Sequence, residues 1–245
     1  MQEKKKPLLL AHRGYTHNYQ ENTYESYYEA INNKNIDGIE MDLCQTLDKE
    51  LICFHDINLK RLTELDKNIN QINFSDIEKL RINKNLEYNN NPKNYKFSPK
   101  IIKFEKLLDL FINTQKIINI ELKVEDDDPL FVTNVLYQIR IRNMQKKVII
   151  TSFNYKLLKY VDNKEFKIGS LIDYTISGDD ISKMNLEYPI VVLDKRTNKA
   201  TINKLKNMNK IIGIYTINSY SDNIIDNFDD YDVDYLIFDQ LWFIY

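Results

Sequence analysis

Short apolar runs recur along this chain of 245 residues and alternate with segments whose apolar residues follow helical spacing. Strands of nearly continuous Ile, Val and Leu that alternate with helices indicate a parallel sheet covered on both faces. Eight such runs are present, at 7–12, 39–43, 117–122, 148–151, 167–172, 189–193, 211–217 and 234–238. Helices are predicted over 23–33, 104–111, 130–141, 155–161, 198–208 and 221–228, with a shorter one near 75–80. Eight units predict an α/β fold, the (β/α)₈ TIM barrel, and a doubly wound open sheet is the alternative.

The second strand is followed closely by another apolar run, which predicts a β-hairpin. If Asp48 and Lys49 alone form its loop, Asp42 lies opposite His55 across the pair. Glu40 shares a face with Asp42 because side chains alternate along a strand. The Asp-Lys pair lacks the glycine that a two-residue loop favours, and a longer loop would shift the register.

One stretch interrupts the alternation of strands and helices. Residues 57–103 are rich in Asn and Lys and contain Pro92 and Pro99. We expect residues 1–245 to form a single domain in which this stretch is a small insertion after the strand-2 hairpin. Little chain follows the eighth strand, so the last outer helix is expected to be short or absent.

Composition and charge narrow the classes of function. The 34 basic and 36 acidic residues give a formal net charge of −2, which argues against nucleic acid as a partner. The apolar run at 8–11 is too short for a signal peptide, and no stretch approaches the roughly 20 apolar residues of a transmembrane helix. We therefore expect a soluble, cytoplasmic protein, although a natural precursor with a removed signal stays possible. The oligomeric state is left open.

The two cysteines are too few for a disulfide framework. With a two-residue hairpin loop, Cys44 would lie opposite Cys53, where oxidation could bridge them. Free thiols are the expectation.

Catalytic groups of such barrels lie at the carboxyl ends of the strands, and the densest polar cluster here lies on the first three strands. Its members are His12, Arg13, Glu40, Asp42, Glu121 and Lys123, and later strands add Ser152, Tyr215, Asn218 and Asp239. Three acids form an oxygen-only site that suits Mg²⁺ or Ca²⁺, with Mn²⁺ also possible. Zinc is disfavoured because no His/Cys cluster has the spacing of its ligands.

The groups beside these acids suit a phosphate ester. Arg13 can act as a bidentate donor and Lys123 as a point charge. His12 and His55 can exchange protons near neutral pH, so a pair that flanks a phosphoryl group can serve as base and acid. For each histidine alone, a buried and hydrogen-bonded ring is the plainer interpretation. The sequence has neither a Walker-type glycine loop nor a G-x-S-x-G elbow, so P-loop and serine-esterase chemistry are unsupported.

Five motifs along the chain carry a family resemblance. They are A-H-R-G at 11–14, E-N-T at 21–23, I-E-M-D at 39–42, F-H-D at 54–56 with L-x-R-x-T at 59–63, and I-E-L-K at 120–123. Weaker matches follow at 151–153, 215–218 and 234–239. In this order they resemble the glycerophosphodiester phosphodiesterases, a family of (β/α)₈ barrels.

The resemblance implies a role for each matching residue. These roles are metal ligation by Glu40, Asp42 and Glu121, acid and base chemistry by His12 and His55, substrate binding by Arg13, Lys123 and Tyr215, and support from Glu21 and Asn22. The implied reaction is metal-dependent hydrolysis of glycerophosphodiesters, such as deacylated phospholipid head groups, to glycerol 3-phosphate and an alcohol. Two alternatives stay open: a phospholipase of C or D type acting on acylated lipids, and a non-catalytic barrel that binds phosphate esters.

Several positions depart from the family pattern. Gln20 replaces a usual Pro, Lys49 a usual hairpin Gly, and Tyr215 a Trp that commonly lines the pocket. At the end of the eighth strand Phe238 stands where Thr is usual, and residues 240–241 lack an expected Pro. These changes bear on substrate choice more than on activity.

Overall fold

The computed structural model describes residues 6–82, 98–124, 126–217 and 232–239, together with the backbone of two short strands at 87–88 and 91–92. The strands are β1 (Leu8–His12), β2 (Gly38–Gln45), β3 (Leu51–Cys53), β4 (Glu87–Tyr88), β5 (Asn91–Pro92), β6 (Ile117–Leu122), β7 (Val148–Ser152), β8 (Lys167–Leu171), β9 (Ile190–Asp194), β10 (Ile211–Ile217) and β11 (Tyr235–Phe238). The α-helices are α1 (Tyr24–Asn32), α2 (Phe74–Ile77), α3 (Phe104–Phe111), α4 (Pro129–Arg140), α5 (Tyr155–Leu158), α6 (Tyr174–Ser177) and α7 (Lys199–Asn207).

Eight of these strands close into a parallel barrel. The order runs β1, β11, β10, β9, β8, β7, β6, β2, and β2 pairs again with β1. All eight pairings are parallel, while β3 adds an antiparallel strand beside β2. The predicted (β/α)₈ barrel is therefore confirmed, and closure excludes the open-sheet alternative.

Side chains point alternately to the two faces of each strand, and this divides the core into two apolar layers. One layer fills the barrel interior, with Leu10, Ile149, Leu171, Ile190, Val192, Tyr235 and Ile237 as its buried members. The other lies between the strands and the surrounding helices, where Met41 of β2 and Phe104 of α3 are fully buried. Because both faces of each strand are covered, the strands carry continuous apolar runs instead of alternating ones.

Helix starts follow local capping chemistry. Thr23 caps α1 and forms a reciprocal capping box with Ser26. Asp128 caps α4 ahead of Pro129, whose ring suits the first helical turn. The predicted helices are confirmed at α1, α3, α4 and α7, while α5 covers only the first part of 155–161. Helix α6 was not predicted, and the predicted helix at 221–228 and the chain after 239 lie outside the described residues.

The predicted hairpin forms, but its predicted register is wrong by one residue. Leu43 pairs with Cys53, so Asp42 lies opposite Phe54, whose N–H donates to the backbone carbonyl oxygen of Asp42 (3.1 Å). The loop has three residues, and the last of them, Lys49, has a φ of 68°. A three-residue loop that ends in a left-handed residue is a standard hairpin connection, and it shifts the register as a longer loop must.

The stretch after β3 packs onto the hairpin through its own apolar cluster. Ile52 and Phe54 contact side chains of this stretch, of which Leu59, Leu62, Ile69, Ile72, Ile77, Ile82 and Ile101 are buried. Both cysteines are free, as expected, and the Cys44 thiol donates to the Phe54 oxygen (3.1 Å). Among the described residues, no helix is long and apolar enough to cross a membrane.

Candidate active site

Three buried carboxylates meet at the carboxyl end of the barrel interior. Glu40 and Asp42 lie two residues apart on the same face of β2, and Glu121 of β6 pairs in register with Asp42. The three residues are 4%, 1% and 8% exposed. Each offers an oxygen that lies within 4.8 Å of the others. The three acids therefore lie together, although the predicted hairpin register is wrong, and their role as metal ligands stays a prediction.

The loop between β1 and α1 folds over these acids. Arg13 donates its backbone N–H to Glu40 Oε2 (3.1 Å), and its Nε lies 3.1 Å from Asp42 Oδ2. Asn22 donates from Nδ2 to the same Asp42 oxygen (2.9 Å), while its Oδ1 accepts from the Asp42 N–H (3.2 Å). Arg13 and Asn22 have φ values of 56° and 54°. Such left-handed backbone is uncommon outside glycine, and it persists where surrounding contacts fix it, often at functional sites.

His12 stands over Glu40 and is held by an acid from the opposite end of the chain. Its Nδ1 lies 2.6 Å from Asp239 Oδ1, and its Nε2 lies 3.8 Å from Glu40 Oε2. A carboxylate only accepts hydrogen bonds, so Nδ1 carries the proton and Nε2 faces the acids. Burial opposes protonation of the ring, but the charge of Asp239, the hydrogen bond to it and the charge of Glu40 together outweigh burial and raise the pKa of His12.

His55 has a matching arrangement on the other side of the cluster. Its Nδ1 lies 2.6 Å from Asp56 Oδ1, and its Nε2 lies 3.1 Å from Lys123 Nζ. Lys123 also lies 3.0 Å from Glu121 Oε1 and 3.9 Å from Asp42 Oδ1. His55 follows the end of β3, so it reaches the acids from the loop and not through strand register.

The acids differ in their preference for protons. Burial, together with the charge of Asp42, raises the pKa of Glu40 to about 8. Burial also raises the pKa of Glu121, partly opposed by Lys123. Burial would raise the pKa of Asp42 as well, but the charges of Arg13, His55 and Lys123 lower it below its usual range. Crowded, buried carboxylates of this kind are an oxygen-only donor set that a divalent cation fits.

The mouth beside Glu121 and Lys123 opens into a cavity of about 210 Å³, whose wall includes Ile57 and Phe153. Phe153 packs edge-on against Tyr215, with ring centres 6.0 Å apart. The Tyr215 hydroxyl donates to the Ile172 oxygen (2.8 Å). Tyr215 therefore contacts a residue of the cavity wall, Phe153, and its own contact with substrate stays a prediction.

Ser152 and Asn218 are two other polar residues that the sequence places at strand ends. Ser152 donates to the backbone oxygen of Leu122 (2.9 Å) and so links β7 to β6, whereas Asn218 lies outside the described residues. Asp56 and Arg61 were not predicted as site residues, and Asp239 was predicted only as a polar residue at a strand end without a role, yet each contacts one of the predicted set. The only sequence signals were their places in the F-H-D motif, in L-x-R-x-T and at the end of the eighth strand.

Comparisons with known proteins agree with this geometry. The model of the "Glycerophosphoryl diester phosphodiesterase family" matches residues 12–241. A glycerophosphodiester phosphodiesterase of Caldanaerobacter subterraneus subsp. tengcongensis is 29% identical over 170 residues, which is 68% of this chain and 67% of the relative.

Two solved structures show the same fold. A glycerophosphodiester phosphodiesterase of Thermotoga maritima has a TM-score of 0.73 and 24% identity, covering 97% of this chain and 96% of its own. A phosphodiesterase of Oleispira antarctica, solved with the product sn-glycerol-3-phosphate, has a TM-score of 0.80 and 20% identity, covering 95% and 93%. Because the family model spans nearly the whole chain, the protein belongs to the glycerophosphoryl diester phosphodiesterase family and is an enzyme, a phosphoric diester hydrolase.

Proposed function

We propose that this protein, acting as one domain, hydrolyses glycerophosphodiesters, such as deacylated phospholipid head groups, to glycerol 3-phosphate and an alcohol. The observation that carries the proposal is the convergence of three buried acids with two histidines, each of which is oriented by its own aspartate. The glycerol 3-phosphate bound by the Oleispira antarctica relative is the product that this reaction would release.

Glu40, Asp42 and Glu121 are proposed to hold one divalent cation, with Mg²⁺ or Ca²⁺ fitting their oxygen-only set and Mn²⁺ also acceptable. When bound, such a cation offsets the negative charge of the phosphoryl oxygens. Asn22 helps to keep the Asp42 carboxylate in place because it donates to Oδ2 and accepts from the Asp42 N–H.

His12 and His55 are proposed to move the protons. In both rings Nδ1 donates to a carboxylate, so Nε2 is the atom that takes or gives a proton. One imidazole accepts the proton of the attacking group, which is either water or the neighbouring glycerol hydroxyl. The other protonates the oxygen of the departing alcohol. Attack by the glycerol hydroxyl would first form a cyclic phosphate, and water would then open the ring to give glycerol 3-phosphate. Paired imidazoles of this kind supply general base and general acid on opposite sides of a phosphoryl group.

Arg13 and Lys123 are proposed to bind the phosphate. Lys123 already lies among Glu121, Asp42 and His55, where its charge can neutralise a phosphoryl oxygen. Glu21 accepts from Arg13 Nη1 (2.9 Å) and so orients the guanidinium. Tyr215 is proposed to line the pocket for the alcohol next to Phe153.

A ³¹P NMR product assay tests the proposal. Purified protein is incubated in turn with glycerophosphocholine, glycerophosphoethanolamine and glycerophosphoglycerol, with Mg²⁺, Ca²⁺ or Mn²⁺. We expect the glycerol 3-phosphate resonance to appear, to vanish with EDTA, and to return when metal is restored in excess. A lysophospholipid run in parallel separates a phospholipase from a glycerophosphodiesterase. No turnover of any diester with any of the three metals would refute the proposal.

A further inference from the structure

Arg61 reaches from the insertion into the site, and none of the proposed chemical roles includes it. It ends the short 3₁₀ turn Leu59–Arg61. Its Nη1 donates to Glu21 Oε2 (3.1 Å), and its Nη2 donates to Glu21 Oε1 (2.6 Å). Its Nε makes a short hydrogen bond to Asp56 Oδ2. One guanidinium therefore joins two carboxylates that belong to different loops.

Each of these carboxylates has a second partner in the site. Asp56 uses its other oxygen, Oδ1, for His55 Nδ1 (2.6 Å). Glu21 Oε1 accepts from Arg13 Nη1 (2.9 Å) as well as from Arg61. A continuous chain of ion pairs thus runs from His55 through Asp56, Arg61 and Glu21 to Arg13. Arg61 is the central member of that chain.

Burial makes the charges in this chain of ion pairs costly unless each one is paired. The Glu21 side chain is fully buried, whereas those of Asp56 and Arg61 are 22% and 35% exposed. A buried carboxylate needs paired charge and hydrogen bonds. Burial raises the pKa of Glu21, but Arg13 and Arg61 outweigh that effect and lower it. Without Arg61, Glu21 would depend on Arg13 alone, and Arg13 would be drawn towards Glu21.

We propose that Arg61 is a positioning residue for the reaction, which fixes the His55 ring through Asp56 and the Arg13 guanidinium through Glu21. It couples the proton-transferring and phosphate-binding sides of the site, and this role rests on the proposed function. The planar fork of arginine can hold two carboxylates at once, whereas the single ammonium of lysine cannot reproduce both contacts.

Two losses follow when Arg61 is removed. Release of Asp56 lets the His55 ring rotate, which lowers kcat, and release of Glu21 shifts Arg13, which raises KM. Misplacement of a reacting group by about 1 Å costs on the order of 10²-fold in rate, so Arg61→Ala should lose roughly 10- to 100-fold in kcat. Arg61→Lys should recover only part of that loss.

The kinetic test compares wild type, Arg61→Ala, Arg61→Lys and a matched control, Arg140→Ala. Arg140 makes a similar fork to Glu165 and is 42% exposed, but it lies on α4 away from the mouth. We expect the control to keep wild-type kcat and KM. Arg61→Ala kinetics within twofold of the control would overturn the inference. Complete rescue by lysine would do so too, because charge alone would then suffice.

A double-mutant cycle with Asp56→Asn tests whether Arg61 acts on His55 through Asp56. If Arg61 acts on kcat through Asp56, the double variant is no slower than the slower single variant. Losses that multiply would refute this route.

Ring ¹⁵N NMR gives a readout that needs no turnover, and the chain has only three histidines to assign. We expect the Nδ1–H tautomer at His55 in wild type and in Arg140→Ala, and a mixture of tautomers in Arg61→Ala. An unchanged His55 tautomer in Arg61→Ala would contradict the positioning role even if wild type cleaved no glycerophosphodiester. Inactive wild type would instead refute the proposed function.

Discussion

Asp56→Asn is expected to destabilise the fold at neutral pH and to lose that effect in acid. Asp56 accepts from His55 Nδ1 and from Arg61 Nε. Burial acts to raise the pKa of Asp56, but these two partners outweigh it and lower it from 3.8 to about 2. The carboxylate therefore binds its proton less readily in the folded protein than in the unfolded chain.

The contribution of Asp56 to the free energy of unfolding follows from its pKa values in the unfolded and folded states. The difference between 3.8 and about 2 corresponds to roughly 2.4 kcal/mol at 1.36 kcal/mol per pKa unit. The side chains of Asp56 and Arg61 are 22% and 35% exposed, so solvent screening reduces the expected contribution to about 1–2 kcal/mol. Because the folded-state pKa is depressed, this stability is present above pH 4 and is lost as the pH falls towards 2.

Urea unfolding of wild type and Asp56→Asn at pH 7, 5, 4 and 3 measures this contribution. We expect the difference in the free energy of unfolding to be constant from pH 7 to 5 and to fall to about half by pH 3. Asp109→Asn is the control, since Asp109 pairs with Arg142 at the surface (2.7 Å) and should contribute no more than about 1 kcal/mol. A difference for Asp56→Asn that is no larger than the control's, or that grows as the pH falls, would refute the reasoning.

Three further variants test other parts of the structure. Lys49→Gly removes the strain of a side chain at a φ of 68°, and we expect urea unfolding to show a gain in the free energy of unfolding of up to about 1 kcal/mol. A clear loss of stability would contradict this. Gly38→Ala would place its Cβ 2.2 Å from the Ile117 oxygen, so a loss of about 1–3 kcal/mol is expected, and unchanged stability would contradict the close approach. Asp239→Asn should lower kcat by at least about tenfold and by no more than the 10²–10⁴-fold that acid–base catalysis supplies, with little change in KM; an unchanged kcat would show that His12 does not need this partner.

Much of the fold was predictable because its determinants are local. Strands covered on both faces leave continuous apolar runs, and all eight runs proved to be barrel strands. The acids were predictable because Glu40, Asp42 and Glu121 lie at carboxyl strand ends, which topology alone brings together. Neither inference needed the path of a loop.

The hairpin register and the partners of the site residues depended on loops, whose conformation the periodic pattern of apolar residues does not determine. The hairpin register turned on Lys49 adopting a left-handed conformation that its residue type disfavours. Arg61 meets a carboxylate 40 residues earlier in the chain, and His12 meets Asp239 across 227 residues. Such orienting contacts join side chains over long separations, so the sequence could indicate the proposed reacting groups but not their partners.

His12 and His55 are proposed to carry out proton transfer beside the acidic cluster. The most direct test of this role is the kcat of His12→Ala and of His55→Ala on a glycerophosphodiester at saturating metal, with near-UV circular dichroism and metal affinity measured on the same samples. We predict that each variant keeps the fold and the metal but loses about 10²–10⁴-fold in kcat. Wild-type turnover by either variant would contradict the account.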